Sequence, residues 1–590
     1  MSDSLPADRV RALLWWALLA VSALAAAAAG FLPIPDTRVL LWLRLGTPLV
    51  DLTLVFALLL ALPDVWPALR SALRAESRRN DLVALGILLV ASLAMLRLVH
   101  PEMRMQADES ALVGTSFGLH LRGFPFVPSA GYYDTRGELH ILATNMDKRG
   151  LLFPILLNGM HALFGFSAIQ GLRLNALLTL LIPVLVYAGL RRHMGAPGAL
   201  AGALLVLVHP VLIWCGASSG FEPMNAVLIL VGWLAVQGAT SSGSVRRWLL
   251  VAVLGALAAQ ARYESVLFGA ALFALGCAVC ARRPESSWRW GLALVPLLYL
   301  PFAWQRALAF DFGLGEQGTE PFAPGYFAHN VGHALSLFAW PSAIEPFGLL
   351  LLLLVLVPAL ARVLWKGAGG QKVPLAEQAV LAAVLVPMLA IFSYAWGNLT
   401  DPFTMRYGLP LMMLMSILSA LGLDWVARRW QWPKWLAPAL AALTVAASVP
   451  ATSNDSAGRR QLVSVGENTA IEWTRAQAAH CRPLFVEQYP NFFVTFGYAG
   501  LPPNALASTW PKVREWASEG SIDSVWFVEV SNLETGSVVH EAPEGFSTEE
   551  LYAVHLPHEI GVRILALDRA DAPLGRGCRP ETAASTEGDR

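Results

Sequence analysis

Long apolar runs, broken by short polar ones, dominate the first three quarters of the chain. Apolar windows fall at roughly 11–31, 39–62, 81–99, 168–190, 198–215, 220–239, 246–261, 263–281, 290–309, 345–365, 376–396, 406–427 and 435–450. A helix of about 20 residues crosses a hydrocarbon core of ~30 Å, so this pattern predicts about thirteen transmembrane helices. Residues 151–165 are apolar but short and interrupted, which predicts an amphipathic or re-entrant helix at the interface. From about 451 the pattern changes. GRRQLVSVGENTAIEWTRAQAAH and KVREWASEG have helical spacing, while PLFVEQ, SVWFVEV and VRILALD read as strands. They predict a small α/β domain over 451–590, ending in a disordered tail.

Charge orients these spans. Arginine- or lysine-rich loops lie at 70–79, 191–192, 246–247, 282–289, 366–372 and 428–434. All six fall on one side if the N-terminus is cytoplasmic, as the positive-inside rule requires. The opposite, extracytoplasmic side then receives the 100–150 loop, the 310–340 loop, the NLTDPF turn and the C-terminal domain. Arg9 and Arg11 precede the first apolar run without a convincing cleavage site, so that run is read as a retained span. Composition agrees with a membrane protein: 56% of the 590 residues are hydrophobic, 14% are charged, and the mean hydropathy is +0.53. The formal net charge of zero provides no footprint for nucleic acid. The alanine, leucine and arginine usage leans towards a bacterial inner membrane. Among five cysteines, Cys481 and Cys578 lie in the outer domain and could be oxidised there.

Candidate chemistry gathers at the outer ends of the spans. Asp108 and Glu109 form an adjacent acidic pair just past a span, where one carboxylate can serve as a general base while its neighbour orients or binds. A solvated, acid-favouring helix start is the alternative. Lys148 and Arg149, in MDKRG, offer two cations for a phosphate, or two side chains snorkelling to lipid headgroups. Arg406 and Tyr407, in DPFTMRYGLP, could clamp a phosphate or act as an interfacial anchor. Glu222, Arg262 and Glu264 are candidates for lining a cavity, with local ion pairing as the alternative. His329 and His333 have the i, i+4 spacing of a helical metal pair, but no third ligand is evident.

The order of these motifs is more specific than any one of them. ADESALVGTSFGLHLRGFP, KRGLLFPILLNGMHALFGFSAIQGLRLN, ASSGFEPM, RYE and RYGLP follow one another between residues 81 and 430. This resembles the GT-C class of polytopic glycosyltransferases, in particular the protein O-mannosyltransferase-like and aminoarabinose-transferase-like families (glycosyltransferase family 39/83-like). The resemblance implies a transmembrane catalytic domain over 81–450, with residues 1–80 as two additional spans. It implies transfer of a sugar from a polyprenyl-phosphate donor to a lipid, glycan or protein acceptor outside the cytoplasm. It also implies that Asp108 is the catalytic acid residue with Glu109 as companion, and that Lys148 and Arg406 meet the lipid phosphate. The family's lysine-proline-proline reads Lys148-Arg149-Gly150 here. A lipid-phosphate leaving group needs cations more than a protonating acid, and a single displacement inverts the anomeric carbon. No cofactor is required, although Asp108, Glu109 and a donor phosphate could share a divalent ion. Two other classes remain open: a lipid-linked sugar transporter or flippase, and a non-catalytic assembly subunit of an envelope glycan pathway.

Overall fold

The computed structural model describes residues 7–72, 78–283, 286–311, 320–342, 344–364, 374–401, 404–454, 462–556 and 559–574. Among them, nine helices are long and apolar enough to cross a membrane. A tenth is counted if Ala196–Val206 and Pro210–Gly216, bent by 71°, form one broken span. The windows at 246–261, 263–281 and 345–365 are also helical, as Val245–Ala261, Ser265–Cys280 and Gly348–Leu364, but they fall short of that length. The thirteen windows are therefore all helical, but not all reach full span length. Their lipid-facing leucines stay exposed, Leu58, Leu89 and Leu353 among them, while Val251, Ala252 and Ala256 of the short Val245–Ala261 helix are sealed at the centre.

Opposite charges clasp the helices at one end. Asp64 binds Arg246 and Arg247, and Asp81 binds Arg191 and the hydroxyl of Tyr187. The candidate site occupies the other ends of the same helices. The Leu152–Phe164 helix lies on this side, short as the sequence predicts.

The outer part forms one sheet from two distant stretches of chain. Strands β1 (Val127–Tyr133) and β2 (Leu139–Asn145) make a hairpin in the 100–150 loop. The C-terminal stretch supplies β3 (Pro483–Val486), β4 (Ala499–Leu501), β5 (Ser524–Asn532), β6 (Ser537–Val538), β7 (Ser547–Leu556) and β8 (Ile560–Asp568). Across the sheet the order is β2, β1, β4, β3, β5, β8, β7, with β6 pairing the far end of β5. β3 runs parallel to β4 on one side and to β5 on the other. β1 joins β4 antiparallel, Gly131 opposite Gly500. Tyr133 donates its hydroxyl proton to the Gly497 carbonyl at 2.8 Å, and Tyr132 stacks on Trp516. The helices predicted in this region are Leu462–Gln477 and Pro503–Ser518. Cys481 is disulfide-bonded, and Cys215, Cys277 and Cys280 are free thiols. Residue 578 and the tail lie outside the described residues.

Candidate active site

The helix Gln106–Arg122 carries the acidic pair in its first turn. Its start is tied down from three directions. Asn468 of the Leu462–Gln477 helix donates to the Met103 carbonyl at 2.7 Å. Glu102 N–H donates to the Ala217 carbonyl at 3.0 Å. Asn491, on the short helix Asn491–Thr495, donates its amide to the Ser110 hydroxyl at 2.7 Å. The outer domain thus packs directly behind the acidic pair.

Asp108 and Glu109 diverge, as neighbours about 100° apart on a helix must. Glu109 is buried and accepts the backbone N–H groups of Arg104 (3.1 Å) and Ser219 (2.9 Å). Burial pushes its carboxyl up to about 7, against the pull of those amides and of Arg406. Asp108 turns to cations. One oxygen accepts Arg149 Nε at 3.0 Å, and the other accepts an Arg406 guanidinium N–H. Burial would raise the Asp108 carboxyl, but the two guanidiniums outweigh it and hold the group well below the usual carboxylate range.

These pairs belong to a longer ladder of alternating charge. Asp147 pairs with Arg149, Arg149 with Asp108, Asp108 with Arg406, Arg406 with Glu222, Glu222 with Arg262, and Arg262 with Glu264. Arg406 Nη1 lies 3.2 Å and Arg262 Nη1 2.9 Å from Glu222 Oε1. The Arg262 guanidinium is held between the rings of Phe221 and Tyr407, at 4.7 and 4.6 Å. Buried charges survive only when paired in this way. Exposure separates one of them from the rest: the Asp108 side chain is 25% exposed, against 3% for Glu222 and 2% for Asp147.

The loop carrying Lys148 and Arg149 is positioned from both flanks. Gln305 donates its amide to the Asp147 carbonyl (3.3 Å) and to that of Arg149. Gly150 lies against Gln260, where an added methyl would sit 2.7 Å from the carbonyl carbon and closer still to its oxygen. That contact explains why glycine stands at the third position of Lys148-Arg149-Gly150. Lys148 is half-buried and has no ion-pair partner among the described residues. A cavity of about 230 Å³ opens beside the ladder, lined by Arg262, Tyr263, Phe302, Arg306, Phe322 and Tyr394 among others. Arg306 lies over the rings of Tyr263 and Phe310 at 4.9 Å each, with no carboxylate partner among the described residues.

Most of the residues expected from sequence converge here: Asp108, Glu109, Arg149, Glu222, Arg262, Glu264, Arg406 and Tyr407, with Lys148 on the same loop. His329 and His333 do not join them. Their rings contact each other at 4.4 Å on the outer helix Pro324–Ala339, and His333 lies 3.4 Å from the Thr400 hydroxyl. Asp108 and Glu109 face different partners, arginines for the first and backbone amides for the second. Among the described residues the one group of three with metal-ligand spacing is Asp134, Glu138 and His140 on the β1–β2 hairpin, largely exposed and outside the ladder. Sequence reasoning misses Asp147, Gln305 and Arg306. Asp147 adjoins Lys148 in MDKRG, where the neighbouring cations were its signal, and nothing local marks the other two.

Residues 148–304 match the family model described as dolichyl-phosphate-mannose-protein mannosyltransferase. The match begins at Lys148 and includes Glu222, Arg262 and Glu264. No curated protein matches the chain in sequence. Among solved structures it is similar to ArnT from Cupriavidus metallidurans bound to undecaprenyl phosphate, at 13% identity over 82% of this chain and 97% of that chain, TM-score 0.50. It is also similar to the apo state of that ArnT (14% identity, 82% and 97%, TM-score 0.46). A third is the Archaeoglobus fulgidus oligosaccharyltransferase in complex with Zn and sulfate (12%, 75% and 67%, TM-score 0.43). The class is thereby defined: an integral membrane protein with the fold of the GT-C glycosyltransferases. Within that class, its likeness is to the mannosyltransferase- and aminoarabinose-transferase-like members.

Proposed function

We propose that the protein transfers a sugar from a polyprenyl-phosphate carrier to an acceptor on the extracytoplasmic side of the membrane. The observation that carries this reading is the position of Asp108. It is the most open acid of the charge ladder, and Tyr407, close enough to feel its charge, lines a largely apolar cavity together with Arg262 and Glu264 of the ladder. The prenyl chain enters that cavity from the bilayer, and Lys148 and Arg306, two cations of this region that have no carboxylate partner among the described residues, meet the phosphate. Arg149 and Arg406 are committed to Asp108 and fix its carboxylate on the substrate side.

The chemistry follows from these roles. As the glycosidic C–O bond to the phosphate breaks, negative charge grows on the phosphate, and fixed cations stabilise it. Asp108 stays ionised and accepts a hydrogen bond from the acceptor's hydroxyl or amine. Held so far below the usual range it is a weak base, so the proton leaves late, once the new bond to the anomeric carbon has formed in part. Attack opposite the leaving phosphate inverts the anomeric configuration. Glu109 touches no reacting atom in this scheme; it anchors the start of the site helix to the 217–220 turn.

The transporter reading has one feature in its favour, the broken span at His209. That break is sealed: His209 lies 2.5 Å from Glu345 and 2.8 Å from Ser416, and all three are buried. It clamps three segments together and lines no pathway. The deciding experiment measures transfer of labelled sugar from polyprenyl-phosphate donors in membranes containing Asp108→Asn. Loss of transfer by about 10²-fold or more is expected for removal of a positioned base. Retained transfer in both Asp108→Asn and Arg406→Ala would overturn the assignment.

A further inference from the structure

The outer sheet has a switch point of its own. β3 is flanked by parallel neighbours on both sides, reached through helices Asn491–Thr495 and Pro503–Ser518, and in open α/β sheets ligands bind beyond the carboxyl end of such a strand. Here that end carries Glu487. Its side chain is buried, and one oxygen accepts only the N–H of the adjacent Gln488 at 2.9 Å. The other oxygen has no partner among the described residues. Facing the carboxylate is His540, which follows β6, with Nε2 3.6 Å away, beyond hydrogen-bond reach and unpartnered. A buried carboxylate and the buried Nε2 of a partly exposed imidazole that leave each other unsatisfied are costly unless a third group completes them. The residues flanking the pair in sequence are exposed: Tyr489 and Val539, with Gln488 and Glu541 beside them. Asn491, four residues beyond Glu487, holds Ser110 in the first turns of the site helix, on the face turned away from Asp108.

The geometry points to a saccharide-binding site at the end of β3, in which Glu487 and His540 take the hydroxyls of a neutral sugar ring and Tyr489 lies against its apolar face. A carboxylate beside an imidazole supplies an acceptor and a donor to adjacent hydroxyls, and an exposed aromatic ring suits the C–H face of a pyranose. When ionised, Glu487 repels phosphates and carboxylates from the same place. The site lies on the domain that packs behind the acidic pair, and binding there does not depend on the function proposed above.

The test is saturation-transfer NMR on the full-length protein in nanodiscs, with methyl α-D-mannopyranoside and methyl β-D-glucopyranoside as probes and acetate and lysine methyl ester as charged controls. At least one glycoside is expected to bind, and Glu487→Gln and Tyr489→Ala each to weaken it about ten-fold. Tyr489 is exposed, so its alanine variant keeps the test open if the Glu487 variant folds poorly. Absence of glycoside binding, binding unchanged in Tyr489→Ala, or binding of lysine methyl ester alone would overturn the proposal. Transfer assayed on the same preparations separates this failure from that of the transferase reading, since Asp108→Asn should bind glycosides normally.

Discussion

Gly150→Ala isolates the geometry of the cationic loop without touching a charge. The new methyl would lie 2.7 Å from the Gln260 carbonyl carbon, whereas carbon–carbon contacts settle at roughly 3.5–4.0 Å. Both sides of the contact are backbone, so no side chain can swing away, and the loop must lift by about 1 Å. Gln305, bonded to the carbonyls of Asp147 and Arg149, opposes that shift from the other side. Lys148 and Arg149 move with the backbone, and a misplacement of about 1 Å costs on the order of 10²-fold in rate. Stability should fall by only about 1–3 kcal/mol, as for other overpacked contacts. The assay is single-turnover transfer from a labelled polyprenyl-phosphate sugar, with thermal unfolding recorded on the same preparation. Gly159→Ala is the control: nothing lies within 4 Å of the added methyl. If Gly150→Ala transferred at nearly the wild-type rate with an unchanged unfolding midpoint, the loop would not be pinned by this contact and its role in positioning the cations would be wrong.

Other expectations are equally direct. Arg306→Ala should lower kcat/KM for the lipid donor by roughly ten-fold or more, with kcat falling as well, because it removes a cation that meets the phosphate as its charge grows; an unchanged kcat would contradict that role. Asp147→Asn should weaken transfer less than Asp108→Asn, since it leaves Arg149 one of its two carboxylates; equal losses would mean that Asp147 belongs to the chemistry. Glu487 titrates near 7 because burial raises it, so the folded state holds its proton more tightly than the unfolded chain. Its favourable contribution is full below about 4.5 and is lost as pH rises through 7, a swing of roughly 3 kcal/mol. The unfolding midpoint of Glu487→Gln should therefore gain on the wild type between pH 5 and pH 8, and a constant difference would refute the burial argument.

Much of the architecture is legible in the amino-acid sequence alone. Hydrophobic runs locate the helices because lipid leaves few alternatives to a helix for an apolar segment. Arg406 and Asp108 emerge from the order of motifs, since they stand 298 positions apart and no local pattern ties the two together. GYYDTRGELH carries no readable role on its own because its partner, β4, lies in another part of the chain, and strand pairing at such separation leaves no periodic trace. Gln305 and Arg306 escape for a related reason: inside an apolar window, a glutamine or arginine looks the same whether it faces lipid headgroups or a loop from another helix. Glu109 shows the converse, being legible as half of an acidic pair although the fold makes it a backbone anchor.

The shared sheet also has a consequence in time. Gly131 cannot meet Gly500 until the ribosome has added a further 369 residues, the distance from position 131 to position 500, which at roughly 5–20 residues per second takes on the order of tens of seconds. By the end of that interval every span up to the last can be in the bilayer, while the helix bearing Asp108 has until then lacked Asn491 and the sheet behind it. The charge ladder, whose last member is Arg406, can close before that, but the helix carrying Asp108 gains its support from behind only on a nearly finished chain.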